Sequence, residues 1–454
     1  MPQIQGFEFF PLKFDRDGRL ERPEQLGALT QHASNATDVV FLAHGFRNNE
    51  EDATVWYQEF LRNFRSHIAR QEFQGKLDNR KWAVAAVYWP SKAVPEGPSR
   101  EEGEAKSLAG DHEAQREYIR AQLRELRADV RDEAKSCVDE AIALLDQIDD
   151  DTDKQNEFVD KLLAAVESQS IDENEGLDFV RSMEGSKVLE RLSTRSRRRR
   201  VDADDDGEEG GGASSLSAGP SDDDEEGAAQ GLGSFFGGVL GRVGQLVNLT
   251  TWYIMKERSG VVGFNGVAQA VRDLKGANPQ VKIHLVGHSL GGRLMAACAK
   301  SLAQDLAVRP DSMTLLQAAF SHYGFSKARH PRGEGFFRSV VERKVVKGPF
   351  VATFSSMDDV VGRVYAVASM LRGDNVKKFG DKDSQFGGIG ANGAQQFETG
   401  EVLSEVLHKA GTPYPNLKPG VLLCLDGSGN LITSHGDITN ENVTYAFTSA
   451  VALT

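Results

Sequence analysis

Two continuous apolar runs and an amphipathic segment dominate the start of the chain. Residues 39–43 are all apolar, and residues 83–89 form a second run of the same kind. Runs of this length without polar alternation are typical of strands buried on both faces of a parallel sheet. Between them, residues 53–73 carry apolar side chains at four-residue steps from Trp56 to Ile68, which predicts a helix. The order strand, helix, strand favours an α/β fold.

The same alternation returns in the second half of the chain. Apolar runs predict strands at 281–286, 313–319, 350–355 and 421–425. Helical spacing predicts helices at 265–274, 294–306, 362–371 and 438–453, and it places His408 in a further helix together with residues 402–407. We therefore expect a mostly parallel central sheet with helices on both faces and an N-terminal strand or hairpin.

The segment between the two halves departs from this pattern. Residues 113–148 predict one long charged helix, and residues 158–166 predict a shorter one. Residues 195–230 are of low complexity, because four consecutive arginines are followed by an acidic tract broken by Gly and Ser. Such a tract cannot bury enough apolar surface to offset the entropy cost of ordering, so we predict that it is disordered.

A Gly-rich apolar segment follows that tract. Residues 232–247 place eight apolar side chains at helical spacing and interleave them with five glycines. One interpretation is a helix packed on the core. The other is a mobile lid or interfacial helix that makes peripheral contact with a membrane.

Charge is concentrated in one part of the sequence. The chain of 454 residues has a net charge of −14, but residues 201–226 hold eleven carboxylates and no Lys or Arg. Without those eleven the net charge of −14 becomes −3, so the acidity describes one tract. The balance argues against general nucleic-acid binding and against electrostatic docking on anionic membranes.

Cysteine usage and the first residues bear on the compartment. The three cysteines are far apart and lack C-x-x-C spacing, which argues against a disulfide framework and against a zinc site. The start of the chain has no signal-peptide pattern, and no apolar run reaches the roughly 18 residues of a membrane-spanning helix. We expect a cytoplasmic protein, although export without a cleaved signal would leave the same pattern.

The strongest chemical signal is the sequence Gly-His-Ser-Leu-Gly-Gly at residues 287–292. It follows the predicted strand 281–286 and precedes a helix, which is the context of a G-x-S-x-G nucleophile elbow. The sharp turn strains the backbone at Ser289 and leaves no room for a Cβ at Gly287 or Gly291. We therefore expect Ser289 Oγ at the carboxyl edge of the sheet.

A serine nucleophile needs a base and an acid, and in this chain order each should follow a later strand. His435 lies after the last predicted strand and before the last helix, so we expect it to be the base. Asp358 follows the strand at 350–355 and is the expected acid. Its neighbour Asp359 is the alternative.

The tetrahedral intermediate of acyl transfer also needs hydrogen-bond donors. The backbone N–H of Leu290, directly after the serine, is one expected donor. The N–H of Phe46 is the other, because the loop at 43–48 follows the first buried strand. Candidate pocket residues are His44, His288 and His322. No partner spacing supports a metal at His44, and the expected chemistry needs neither a metal nor an organic cofactor.

These motifs resemble those of α/β-hydrolase-fold serine hydrolases, and the elbow is similar to its lipase form. The resemblance covers about residues 36–90 and 260–454. It implies Ser289 as nucleophile, His435 as base and Asp358 as acid. The insertion lies between the strand that ends at Trp89 and the strand that precedes the elbow. In many lipases the lid instead follows the strand after the elbow.

The expected organisation is one hydrolase domain with an insertion. Its N-terminal part is residues 1–91, the helical insertion is residues 92–260, and the C-terminal part is residues 261–454. The expected function is hydrolysis of small-molecule or lipid carboxylic esters. The same triad would serve an amidase, thioesterase, peptidase or phospholipase toxin, and a non-catalytic binding protein on a hydrolase frame is the remaining alternative. The sequence carries no signal for an oligomeric state.

Overall fold

The computed structural model describes residues 3–91, 111–166, 177–192, 238–327, 333–362 and 387–454. Within them, the central element is a nine-stranded sheet. The strands are β1 (Gln3–Ile4), β2 (Phe7–Lys13), β3 (Asp38–Ala43), β4 (Trp82–Tyr88), β5 (Lys282–His288), β6 (Ser312–Leu316), β7 (Phe350–Phe354), β8 (Val402–Val406) and β9 (Leu422–Asp426). Their order in the sheet is β1-β2-β4-β3-β5-β6-β7-β9-β8.

Only the β1–β2 pair of this sheet is antiparallel, and every other neighbouring pair is parallel. Strands β3 and β4 are buried along their whole length, as their continuous apolar runs predict. In a parallel sheet all carboxyl ends lie at one edge, so the loops after β3, β5, β6, β7 and β9 meet there. This confirms the predicted mostly parallel α/β fold.

The helices pack on both faces of the sheet. Those of the main body are α1 (Pro23–Ala33), α2 (Glu50–Ile68), α9 (Ala268–Ala277), α10 (Leu290–Leu302), α11 (Arg338–Glu342), α12 (Ile389–Asn392) and α13 (Glu441–Val451). Helices α2 and α13 cover one face, where the Phe60 and Phe447 rings lie 5.2 Å apart. Helices α1, α9 and α10 lie in the apolar core of the other face.

The insertion contributes its own helices to that second core. They are α3 (His112–Asp129), α4 (Asp132–Leu144), α5 (Thr152–Ala164), α6 (Leu177–Arg181), α7 (residues 185–192) and α8 (Gly238–Val261). Helix α8 packs against α10 and α3, and it continues through a π-helical turn (Val262–Val267) into α9. This helical run passes residue 260, where the sequence pattern places the end of the insertion. The described part of the Gly-rich segment is thus a packed helix.

The predicted single helix at 113–148 is wrong, because it is broken into α3 and α4. Val130 has an extended backbone, with ψ at 162°. Two arginines from distant parts of the chain donate hydrogen bonds to the backbone at this helix end. Arg258 donates to Asp129 O at 2.8 Å, and Arg16 donates to Val130 O at 2.9 Å. These contacts satisfy carbonyls that a continuous helix would have used itself.

The predicted helix around residues 402–407 is also wrong. Residues Val402–Val406 form strand β8, which pairs in parallel with β9. Short apolar runs fit both periods, and pairing with a buried neighbour decides between them. His408 lies beyond the strand and stacks on Tyr414, with ring centroids 4.7 Å apart.

Three predictions lie partly or wholly outside the described residues. They are the disordered tract at 195–230, the first part of the Gly-rich segment at 232–237, and most of the helix at 362–371. In the part of the chain that is described, no helix combines the length and apolarity needed to cross a membrane.

Candidate active site

Ser289 lies in a sharp turn between strand β5 and helix α10, which begins at Leu290. Its backbone has φ 55° and ψ −124°, a conformation that non-glycine residues rarely adopt. A Cβ on Gly287 would lie 2.2 Å from Gly291 O, and one on Gly291 would lie 2.3 Å from Ala43 O. Both neighbours are backbone atoms, so only glycine fits at these two positions. The turn therefore presents Ser289 at the carboxyl edge of the sheet.

His435 and Asp358 form a buried pair at the same edge. His435 Nδ1–H donates to Asp358 Oδ2 at 2.9 Å, and the two side chains are 7% and 0% exposed. The other carboxylate oxygen, Oδ1, accepts the backbone N–H of Val361 at 2.9 Å. One oxygen thus orients the imidazole while the other fixes the carboxylate. The alternative acid, Asp359, is solvent-exposed, so the geometry favours Asp358.

His288 joins the elbow to the His435 loop. Its Nε2–H donates to the carbonyl oxygen of His435 at 3.0 Å, and the two rings have centroids 4.6 Å apart. Burial lowers the pKa of His288 well below its ordinary value, and the proximity of His435 and His44 lowers it further. The imidazole of His288 is therefore neutral. Because it directly precedes Ser289, this contact brings Ser289 and His435 to one place.

Gln317 is a site residue that the sequence does not reveal. It directly follows strand β6, and its backbone is in the left-handed region with φ 40°. Its side-chain Nε2 donates to Ser434 O and to His435 O, both at 2.9 Å. The amide thus holds the loop that carries His435. The only sequence signal is that Gln317 comes at the carboxyl end of a strand.

His44 is a fixed neutral element of the loop after β3. Its Nε2 accepts the N–H of Trp89 at 3.3 Å, so the proton is on Nδ1, which donates to Gly45 O at 3.0 Å. Its backbone N–H donates to Tyr57 Oη at 3.1 Å. Burial lowers the pKa of His44 to about 4. This histidine therefore supports the loop and stays uncharged near neutral pH.

The loop after β3 lies directly against the elbow. A Cβ on Gly45 would come within 2.9 Å of Ser289 Cβ. The N–H of Phe46 and that of Leu290 donate no hydrogen bond to any residue that the structure describes. Leu290 is the first residue of α10, where N–H groups have no partner within the helix. Two backbone donors beside Ser289 are thus available to an anionic oxygen.

His322 follows β6 at the same edge and is fully buried. Its Nδ1 accepts Asn392 Nδ2–H at 3.1 Å, and its backbone N–H donates to Gly387 O at 2.8 Å. The ring also packs against Tyr323, with centroids 3.9 Å apart. These contacts tie the loop after β6 to the α12 region.

Metal-binding chemistry finds no support in the described residues. They contain no group of three or more His, Cys, Asp or Glu side chains that could hold a metal ion. Cys298 and Cys424 are buried free thiols, and burial raises the pKa of each to about 12. Both thiols therefore stay protonated and inert near neutral pH.

The mostly parallel sheet and a match to a family model support a lipase-like α/β hydrolase. Residues 242–368 match the family model of lipases of class 3. The matched segment runs from α8 past Asp358 and includes the whole elbow, and it supports lipase-type ester hydrolysis. No curated protein and no solved structure matches the chain. The match confirms the resemblance that the elbow motif indicates.

Proposed function

We propose that this protein hydrolyses carboxylic esters through an acyl-enzyme on Ser289. His435 is the general base, Asp358 orients it, and the N–H groups of Phe46 and Leu290 bind the oxyanion. The observation that carries the proposal is the strained, glycine-flanked backbone of Ser289 beside a buried His–Asp pair. Strain of this kind persists where function requires it and the surrounding structure maintains it.

The chemistry proceeds in two balanced steps. Ser289 Oγ attacks the ester carbonyl carbon while its proton moves to His435 Nε2, and the carbonyl oxygen becomes an oxyanion. The C–O bond to the alcohol then breaks, and the alcohol takes the proton from His435. Water next attacks the acyl-enzyme, gives one proton to His435, and releases the acid as Ser289 regains its proton.

Charge around the base suits this cycle. The carboxylate of Asp358, which accepts His435 Nδ1–H at 2.9 Å, stabilises the imidazolium that forms in each step. His288 lies against the same ring but is held neutral by burial. A second cation there would oppose protonation of His435, so a neutral His288 keeps the base effective.

Apolar surface beside the pair favours a substrate with an apolar group. Met357, directly before Asp358, is 48% exposed. The half-buried Trp56 has its ring 6.4 Å from the His288 ring. Together with the class 3 lipase match, these residues support lipid or other apolar esters as the substrate class.

A chain-length series of p-nitrophenyl esters, from acetyl to palmitoyl, tests the proposal. We expect hydrolysis that improves with chain length and falls at least about 1,000-fold in Ser289→Ala. Ser449→Ala is the matched control and should retain full activity, because among the described residues its hydroxyl bonds only within helix α13. Preference for acetyl esters would count against lipids. Activity that survives Ser289→Ala would reject the nucleophile.

A further inference from the structure

The residue directly before the insertion and the helix that ends the insertion both contact the loop that carries Phe46. The chain enters the insertion just after Ser91, which is 1% exposed. The backbone oxygen of Ser91 accepts the N–H of Arg47 at 3.1 Å, and its Oγ–H donates to Asn48 O at 2.8 Å. The residue directly before the insertion is thus bonded to the residues that follow Phe46.

The returning end of the insertion bonds to the same loop. Asn248, a half-buried residue of helix α8, accepts Arg47 Nη2–H on its Oδ1 at 3.1 Å. The Arg47 guanidinium lies 5.2 Å from the centroid of the Phe46 ring. Its charge also reaches Tyr118 of α3, where it opposes the rise in pKa that burial causes. Helices α3 and α8 therefore both interact with Arg47.

Arg47 needs such support because of its backbone. Its φ is 65°, in the left-handed region that a side chain with a Cβ disfavours. A strained residue keeps this conformation only where its contacts determine it. Its hydrogen bonds to Ser91 and Asn248 come from the residue directly before the insertion and from the helix that ends it. The hydrogen bond from Arg47 N–H to Ser91 O fixes the Phe46–Arg47 peptide unit. The Phe46 N–H lies in the preceding peptide unit, only the two backbone dihedrals of Phe46 away, so contacts that hold Arg47 limit the positions that this donor can take.

We propose that the insertion braces the oxyanion loop and that Asn248 is a positioning residue for the Phe46 N–H. The proposal rests on the ester hydrolase function proposed above. It assigns the insertion a role in catalysis: the returning helix holds Arg47, and Arg47 holds the Phe46 donor where the oxyanion forms. Loosening this contact should raise the barrier without weakening ester binding.

The test compares three variants of the full chain. Asn248→Leu removes the acceptor, and Asn248→Asp keeps it. Arg242→Ala is the control, since among the described residues Arg242 bonds only to Gly238 O within α8. We expect Asn248→Leu to lower kcat about tenfold, less than the 100- to 1,000-fold cost of losing a donor outright, with KM within about twofold. Asn248→Asp and Arg242→Ala should stay near wild type.

Two further measurements separate positioning from folding. A trifluoromethyl ketone forms a tetrahedral adduct whose oxyanion occupies the same site, so its inhibition constant should rise in Asn248→Leu by the factor that kcat falls. Amide hydrogen exchange in residues 44–48 should quicken in that variant while the melting temperature changes little. If Asn248→Leu keeps the wild-type kcat and inhibition constant, the proposal that Asn248 positions the Phe46 N–H is wrong.

Hydrogen exchange also distinguishes a failure of this inference from a failure of the proposed ester hydrolase function. If the wild-type protein hydrolyses no ester and Ser289 does not react with a fluorophosphonate, the proposed function fails. Exchange in residues 44–48 still reports on the brace in that case. Unchanged exchange in Asn248→Leu would reject the brace, and faster exchange would support the structural link alone.

Discussion

Replacing Gln317 with methionine separates the placement of His435 from the stability of the fold. Methionine keeps the length of the side chain but removes the Nε2 donor to Ser434 O and His435 O. It also removes Oε1, which is buried and has no hydrogen-bond partner among the described residues. The variant therefore loses two hydrogen bonds, and it also loses a buried oxygen that has no hydrogen-bond partner among the described residues.

The energies of these changes nearly cancel. Each lost hydrogen bond costs about 0.5–1.5 kcal/mol net, and removing an unsatisfied buried acceptor returns about 1–3 kcal/mol. Neither carbonyl is left without a donor, because His435 O keeps the His288 Nε2–H and Ser434 O keeps the Asp437 N–H. We expect the free energy of unfolding of Gln317→Met to lie within about 1 kcal/mol of wild type.

Catalysis should nonetheless suffer, because His435 is held by one contact fewer. We expect kcat to fall about tenfold, or about 1.4 kcal/mol, with KM within about twofold. Urea unfolding and steady-state ester hydrolysis measure the two effects in one preparation. A wild-type kcat would show that the Gln317 amide does not position His435. Unfolding weakened by more than about 3 kcal/mol would also contradict that role, since the amide would then be a structural element.

The remaining predictions concern the acid, the elbow and pH. Asp358→Asn should lower kcat about 1,000- to 10,000-fold, and Asp359→Asn less than threefold, in the same ester assay. Gly287→Ala should destabilise by at least about 3 kcal/mol because its Cβ meets backbone, whereas Gly276→Ala, with open space around it, should be neutral or stabilising by up to about 1 kcal/mol in urea unfolding. The folded-state pKa of His44, about 4, lies below the value near 6.5 of the unfolded chain. Protons therefore bind the unfolded state first, and stability should fall as the pH drops from about 6.5 towards 4. His44→Gln should flatten that dependence between pH 7 and 5, and an unchanged slope would contradict the assignment.

The centre of the fold could be predicted because its signals are local. The runs at 39–43 and 83–89 are too apolar for anything but buried elements. The helical spacing of apolar residues between them gives the order strand, helix, strand. The break between α3 and α4 could not be predicted. It depends on Arg258, which lies 129 residues from the carbonyl that it binds. The strand at Val402–Val406 was not predicted for a similar reason. Its apolar positions fit the spacing of a helix as well as that of a strand, and only pairing with β9 makes it a strand.

The same division holds for the candidate site. Ser289, His435 and Asp358 lie at one edge because each follows a parallel strand, and strand ends are visible in the sequence. The contacts of Gln317 and Asn248 join residues that lie 117 or more positions apart in the sequence. Gln317 donates to backbone carbonyls, and Asn248 accepts from the side chain of Arg47. Such contacts leave no periodicity and no motif, so only the folded chain reveals them.

Fluorophosphonate labelling followed by peptide mapping shows whether Ser289 is the reactive nucleophile of this protein. Trypsin releases the elbow as the peptide Ile283–Arg293, which contains Ser289 as its only serine. The assignment of Ser289 as the nucleophile predicts one covalent adduct, on that peptide, in the wild-type protein, and no adduct in Ser289→Ala. Equal labelling of both proteins, or an adduct confined to another peptide, would contradict it.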